Sequence, residues 1–578
     1  MIEYRIAPAD PRTHHYRVTL RVNAPAAEQA LSLPVWIPGS YLVREFARHL
    51  SGLQARQGTR AVRLEQTDKA RWVAHCRGSA ALEVSWRVYA FDTSVRAAFL
   101  DERRGFFNAT SLCLRVEGRE AEPHAIELVS LPRGWQVATA MPVARGARAH
   151  RYESADYDEL VDHPFELGTF WRGRFTARGV PHEFVVAGAW PGFDGERLLA
   201  DTQRICETQI AFWHGARARP PFRRYVFMLQ VAEEGHGGLE HRASTALLAA
   251  RRGLPRVGMG AADDAYVDLL GLISHEYFHT WHVKRMRPRE FARYDYEREN
   301  YTRLLWLFEG GTSYYDDLLL LRAGLIEPAR YLRLLAKAVN TVRTTPGRQV
   351  QSVADASFDA WVKFYRVDEN TPNATVSYYT KGALVALALD LTLRREGSSL
   401  DAVMRQLWRA GRGGPIDEAA VQQALAHCAG RSLARELARW VHGTQELPLQ
   451  PLLEAAGVQW SEDKAAWSAA LGLRLSEGPV SGIQVKNVLA GSAAARAGIS
   501  VGDELLAVNG WRLRRLDDAQ QWLRPGRAFD LTLVRDQRLH TLTVRPQARS
   551  PLAHTVRLGL HTAPERSAAV VRRAWLGR

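Results

Sequence analysis

Apolar and polar residues alternate through much of the first 170 positions. Tyr16–Val22 and Leu82–Tyr89 each place an apolar side chain at about every second residue, the pattern of a strand with one face buried. Proline and glycine turns punctuate the stretch. The reading is a β-sandwich over 1–170, with Trp36 and Phe106 packed inside it. Tyr41 and Arg44 are left open between packing and lining a cleft. The period changes after 171. Glu183–Ala187 and Arg224–Gln230 read as strands, and Glu196–Trp213 as an amphipathic helix. Helical spacing then runs from Ala261 to Val283, and again after Asp317 to about residue 445. A separate unit follows at 463–548. The Arg- and Ala-rich tail, 549–578, is expected to be partly disordered. The fold class is therefore multidomain α+β, divided at 1–170, 171–462, 463–548 and 549–578.

A chain of 578 residues has room for about three domains at roughly 100–200 residues each. Its 77 basic and 62 acidic residues leave a net charge of +15, which invites a nucleic-acid reading. The distribution argues against it. Seven of the basic residues are Lys, leaving 77 − 7 = 70 Arg, and these are spread along the chain without a dense cluster. That suits an Arg-biased coding sequence better than a phosphate-binding face, so no nucleic-acid partner is expected. Cys76, Cys113, Cys206 and Cys428 match no metal spacing and read as buried thiols. The first residues contain no apolar leader core, and no run approaches the ~20 apolar residues of a membrane span. A soluble cytoplasmic protein is the expectation. Its oligomeric state stays open.

The chemistry-bearing stretch is 271–282, which contains His275, Glu276 and His279 as H-E-x-x-H. Residues i and i+4 of a helix share a face one turn apart, so both imidazoles can reach one metal ion. Glu276 can then act on a water at that metal. Apolar neighbours imply that the histidines are partly buried, and buried imidazoles need partners. Such a helix-borne pair needs one more protein ligand, with a position left for water. Glu309 is the candidate, because it stands in an apolar run where an unengaged carboxylate would be costly. His282 is a rival ligand, but is expected to support the site or face solvent. Gly237 and Gly238 allow backbone to approach a ligand closely. The connector 284–293 is basic; its Arg residues could bind a substrate carboxylate, but it reads rather as a solvated face.

Taken together, H-E-Y-F-H-T-W and L-F-E-G-G-T-S-Y-Y resemble the gluzincin metallopeptidases, and more narrowly the glycyl aminopeptidase family with its C-terminal PDZ domain. L-P-V-W-I-P-G-S-Y-L-V-R-E-F at 33–46 resembles that family's N-terminal signature. G-G-L-E-H at 237–241 resembles the G-x-M-E-N element of the wider aminopeptidase group, with His241 in place of Asn and Leu239 in place of Met. S-Y-Y-T-K-G-A at 377–383 resembles the Y-x-K-G element, and 488–510 resembles the core of a PDZ domain. The resemblance covers nearly the whole chain. It implies a thermolysin-like, mostly α-helical catalytic domain at 171–462 and a PDZ domain at 463–548. It also implies one Zn²⁺ on His275, His279 and Glu309, with Glu276 as general base. Tyr379 is implied as oxyanion donor, with Tyr378 the runner-up. Glu240 would anchor the substrate amine, with Gly237, Gly238 and His241 beside it. The substrate implied is a peptide with a free N-terminus, glycine or alanine preferred. The PDZ domain would take a peptide C-terminus or pack on its neighbour. Rival readings are an endopeptidase or epoxide hydrolase on the same scaffold, or an inactive peptide-binding adaptor. Glu240 separates the exopeptidase from the first two, because amine capture fails if it does not face the metal.

Overall fold

The computed structural model describes residues 1–146, 150–215, 219–524, 526–547 and 550–577. The chain divides into two compact units, 1–300 with 408–416 and 301–407 with 417–578.

In the first unit the alternating segments form a ten-stranded and a four-stranded sheet. His15–Val22 lies antiparallel to both Ile2–Asp10 and Leu82–Tyr89, so Tyr16, Val18, Leu20 and Val22 point into one core. Trp36 and Phe106 are buried as expected. Tyr41 is buried too, stacked on Phe291, and the guanidinium of Arg44 donates to the Ser40 hydroxyl. A mixed five-stranded sheet follows, in the order Trp171–Ala177, Val180–Ala187, Tyr225–Ala232, Ser244–Ala250, His236–Glu240. The G-G-L-E segment is therefore an edge strand, antiparallel to Ser244–Ala250. The helix Gly195–His214 crosses this sheet and fixes the motif helix through Gln209. That side-chain amide donates to both the carbonyl and the hydroxyl of Ser274.

The second unit is helical from Gly311–Arg322 to Leu449–Ala455 and then β-rich. Glu309 stands in a π-helical turn, Trp306–Gly310, that runs straight into Gly311–Arg322. Thr380–Arg395 packs against that turn at two glycines. A Cβ on Gly310 would lie 2.6 Å from the Gly382 Cα, and one on Gly382 would lie 2.7 Å from the Trp306 carbonyl oxygen. Gly310 of E-G-G and Gly382 of Y-x-K-G are thus explained by two backbones in direct contact. The region expected to be a PDZ domain is a sheet in the order Leu473–Gly478, Gly482–Val488, Glu504–Val508, Phe529–Arg535, Arg538–Val544, with its own core.

The tail departs from its sequence reading. His554–Leu560 pairs with Val458–Lys464, and Arg566–Leu576 is a helix. Trp575 is fully buried and its indole donates to the Tyr314 hydroxyl. Composition hid this, because one tryptophan and the alternation at 554–560 supply the anchor. Residues 549 and 578 of the tail lie outside the described residues. Of the cysteines, Cys76, Cys113 and Cys206 are buried and Cys428 is half-exposed. Among the described residues no helix is long and apolar enough to cross a membrane.

Candidate active site

The motif helix is shorter than its apolar pattern. Asp263 caps its start by accepting from the Tyr266 N–H, and the helix Asp264–Phe278 ends at His279. Beyond it the chain folds into tight turns, with the Lys284 N–H donating to the His279 carbonyl. The expected continuation to Val283 fails because Trp281, His282 and Val283 are each buried where a continuing helix would turn some of them outward.

His275 and His279 lie one turn apart at the end of the helix. Their Nε2 atoms face each other at 3.0 Å, with the rings nearly perpendicular. Two nitrogens bound tetrahedrally to one zinc at 2.0–2.1 Å stand roughly 3.3 Å apart, so the pair is spaced for a shared ion. His279 Nδ1 lies 2.7 Å from the His282 carbonyl oxygen. That bond fixes the proton on Nδ1 and leaves the Nε2 lone pair for a ligand. His282 thus supports its neighbour through backbone. Its own ring is buried beside Phe278 and Trp213, not solvent-facing. Among the described residues, His275, His279 and Glu309 offer donor atoms that all lie within 4.8 Å of one another. Two imidazole nitrogens and a carboxylate form a donor set suited to zinc.

The edge strand lies against the motif helix. A Cβ on Gly238 would fall 2.0 Å from Glu276 Oε1, so only glycine fits there and backbone meets the motif carboxylate directly. Glu240, two residues on, shares a strand face with Gly238, roughly 7 Å along. It is buried, and Gly39 covers it. With φ at +97°, Gly39 would place a Cβ 2.6 Å from both Glu240 carboxylate oxygens. The 33–46 stretch therefore shapes the surroundings of Glu240, a link its sequence did not reveal. Arg96 holds the strand from outside, donating to the Gly238 carbonyl, while Gly237 has ordinary clearance from it.

Behind this strand lies a charged cluster. The Asp162 carboxylate takes Lys284 Nζ at 2.8 Å, His241 Nδ1 at 3.3 Å and the Arg242 N–H at 3.0 Å. Burial opposes ionisation of Asp162, yet Lys284 and its other partners outweigh it and hold the carboxyl well below its usual range. Lys284 likewise stays charged, since burial opposes it but Asp162 prevails. Burial pushes His241 down to about 4, so its ring is neutral. The guanidinium of Arg285, lowered to about 10 by burial, donates to the carbonyls of Arg242 and Thr280. These bonds tie the end of the edge strand to the turn after the metal motif. His241 is thus engaged with Asp162, and the start of the 284–293 connector is internal. Exposure begins only at its later residues, with Arg289, Glu290, Ala292 and Arg293. The connector was misread because its partner Asp162 lies more than a hundred residues away.

In the second unit Tyr379 is the N-cap residue of Thr380–Arg395. Its ring stacks on those of Tyr378 and Phe364. Tyr378 is fully buried and burial raises its hydroxyl far above the usual range, with Glu309 contributing. Tyr365, which no motif marked, has its hydroxyl 3.1 Å from that of Tyr379.

A helix-borne H-E-x-x-H pair with a carboxylate as third donor is the donor set of a zinc metallopeptidase. The family model for the peptidase M61 N-terminal domain matches residues 3–169, that for M61 glycyl aminopeptidase residues 268–385, and that for a PDZ domain residues 484–535. A crystallised aminopeptidase N family protein from Idiomarina loihiensis is 36% identical over 99% of this chain and 100% of its own, with a TM-score of 0.92. The chain belongs to the M61 glycyl aminopeptidase family. More distant likenesses include an M1 zinc metallopeptidase from Deinococcus radiodurans, at 15% identity over 78% of this chain and 94% of that one, TM-score 0.48. Legionella pneumophila aminopeptidase A, in complex with aspartic acid, is 11% identical over 96% of this chain and 57% of that one, TM-score 0.46. No curated protein matches.

Proposed function

We propose that this zinc aminopeptidase removes small N-terminal residues, glycine or alanine, from peptides. His275, His279 and Glu309 hold the zinc, which when bound polarises the scissile carbonyl and acidifies water. The extended substrate lies along the edge strand His236–Glu240. Its α-ammonium pairs with the Glu240 carboxylate. Glu276 takes a proton from the attacking water and delivers it to the leaving amine as the C–N bond breaks. The Tyr379 O–H donates to the carbonyl oxygen as it gains charge. The PDZ domain takes a peptide C-terminus along Leu473–Gly478, which ends its sheet order.

One observation carries this reading. A Cβ on Gly238 would strike Glu276, and Glu240 follows two residues on along the same strand face, roughly 7 Å away, which supports base and amine anchor bordering one short stretch of extended substrate. A longer chain threading past would have to displace the cover that Gly39 places on Glu240. The test is a panel of aminoacyl-nitroanilides and their N-acetylated forms, with and without chelator. Cleavage confined to free-amine glycyl and alanyl substrates, lost on chelation and restored by zinc, is the expected result. Cleavage of acetylated substrates at comparable rates would replace this reading with an endopeptidase. Zinc binding without cleavage would point to the adaptor.

A further inference from the structure

Tyr365 belongs to no motif, yet its hydroxyl lies beside that of Tyr379. Its oxygen is 3.1 Å from that of Tyr379. A phenol has one proton to give and two lone pairs to receive. When the Tyr379 proton is turned toward a developing oxyanion, its oxygen is left able to accept, and Tyr365 is in place to donate to it. Such a chain strengthens the outer donor, because each bond polarises the next.

The position of Tyr365 is also built. Its ring packs edge-on to Phe364, which in turn stacks on Tyr379, so the two phenols share one aromatic stack. The segment between them is latched to the PDZ domain. The Asn373 side-chain amide donates to the Val488 carbonyl and its oxygen accepts the Ala490 N–H, while the Asn487 amide donates to the Glu369 carbonyl. An exposed loop is thereby held at both faces of Asn373, a few residues from each tyrosine.

We propose that Tyr365 is a positioning residue for the peptidase reaction, its hydroxyl donating to Tyr379 so that the Tyr379 proton points at the oxyanion. The proposal rests on the assignment of Tyr379 as oxyanion donor. The step moves no proton away from Tyr365 and forms no covalent bond.

The test is a double-mutant cycle on the full-length zinc-loaded chain, using Tyr365→Phe, Tyr379→Phe and the pair, with Gly-nitroanilide as substrate. Tyr379→Phe alone tests the underlying assignment and should lower kcat about 100-fold. Tyr365→Phe should lower kcat about 3- to 10-fold with KM within about twofold, the scale of one lost hydrogen bond. It should also move the alkaline limb of kcat upward, because the Tyr379 phenolate loses a donor. In the Tyr379→Phe background, Tyr365→Phe should change nothing further. Tm and zinc content should match wild type throughout. A normal kcat for Tyr365→Phe beside an impaired Tyr379→Phe would overturn the proposal and leave the Tyr379 assignment standing. So would losses that multiply in the double variant. A fully active Tyr379→Phe would overturn the assignment itself.

Discussion

Gly238→Ala puts the close approach of edge strand and motif carboxylate under direct strain. The new Cβ would sit 2.0 Å from Glu276 Oε1, 2.2 Å from Cδ and 2.5 Å from Cγ. Ordinary van der Waals contact begins at 3.4 Å, so the carboxylate or the strand must yield by 3.4 − 2.0 = 1.4 Å. Three atoms of one side chain are struck together, and Glu276 is itself buried, so rotation of a flexible end does not relieve the clash. A displacement near 1 Å at a reacting group costs on the order of 100-fold in rate, and a general base is worth roughly 100- to 10,000-fold. The expected loss in kcat is therefore about 100- to 1,000-fold. Overpacking of this kind destabilises by about 1–3 kcal/mol, so the chain stays folded. Steady-state kinetics on Gly-nitroanilide, with zinc content and Tm measured alongside, reads the effect. Gly237→Ala is the control one residue away, where a Cβ meets Arg96 at an ordinary 3.4 Å and kcat should stay within about threefold. Retention of wild-type kcat by Gly238→Ala would refute the argument that strand and base share one contact.

Other outcomes follow from the same geometry. Gly39→Ala meets a left-handed φ of +97° and a clash with both Glu240 oxygens, so it should raise KM for free-amine substrates tenfold or more and leave N-acetylated controls unchanged. Asp162→Asn strips a buried Lys284 of its counter-charge and should cost about 3–5 kcal/mol, read by urea denaturation at pH 7. Burial pushes His182 and His241 down to about 4, whereas unfolded histidine titrates near 6.5. Their stability contribution is thus present above about pH 6.5 and lost as pH falls from there toward 4, at up to about 1.4 kcal/mol per unit for each group. His182 lies 2.9 Å from both the Val180 carbonyl and the Tyr277 hydroxyl. His182→Gln should therefore flatten the fall of Tm between pH 7 and 4.5, and an unchanged slope would count against it.

The sequence carried the site's local pieces and hid their mutual arrangement. The pair at 275 and 279 was legible because helical periodicity alone sets its spacing, and Glu309 because a carboxylate in an apolar run needs a reason to be there. The strands of 1–170 were legible from alternation, which is a property of each strand by itself. Asp162 and Lys284 were not, because a buried ion pair far apart in sequence leaves no local pattern, and Lys284 looked like part of a solvated basic run. Tyr365 was hidden for the same reason, its partner being fourteen residues on across a loop. The helix end at His279 was missed because buried residues in tight turns have the composition of a helix core. The tail was misjudged on composition, although Trp575 is among the largest fully buried side chains.

The central claim is that Glu240 reads a free α-amine while Glu276 and the metal group act one residue away. The measurement that bears on it most directly is the ratio of kcat/KM for Gly-nitroanilide to that for its N-acetyl form, in wild type and in Glu240→Gln, at equal zinc content. The ratio should be large in wild type and collapse in Glu240→Gln through KM, because the α-ammonium loses its charged partner. A ratio near one in wild type, or one untouched by Glu240→Gln, would contradict the account.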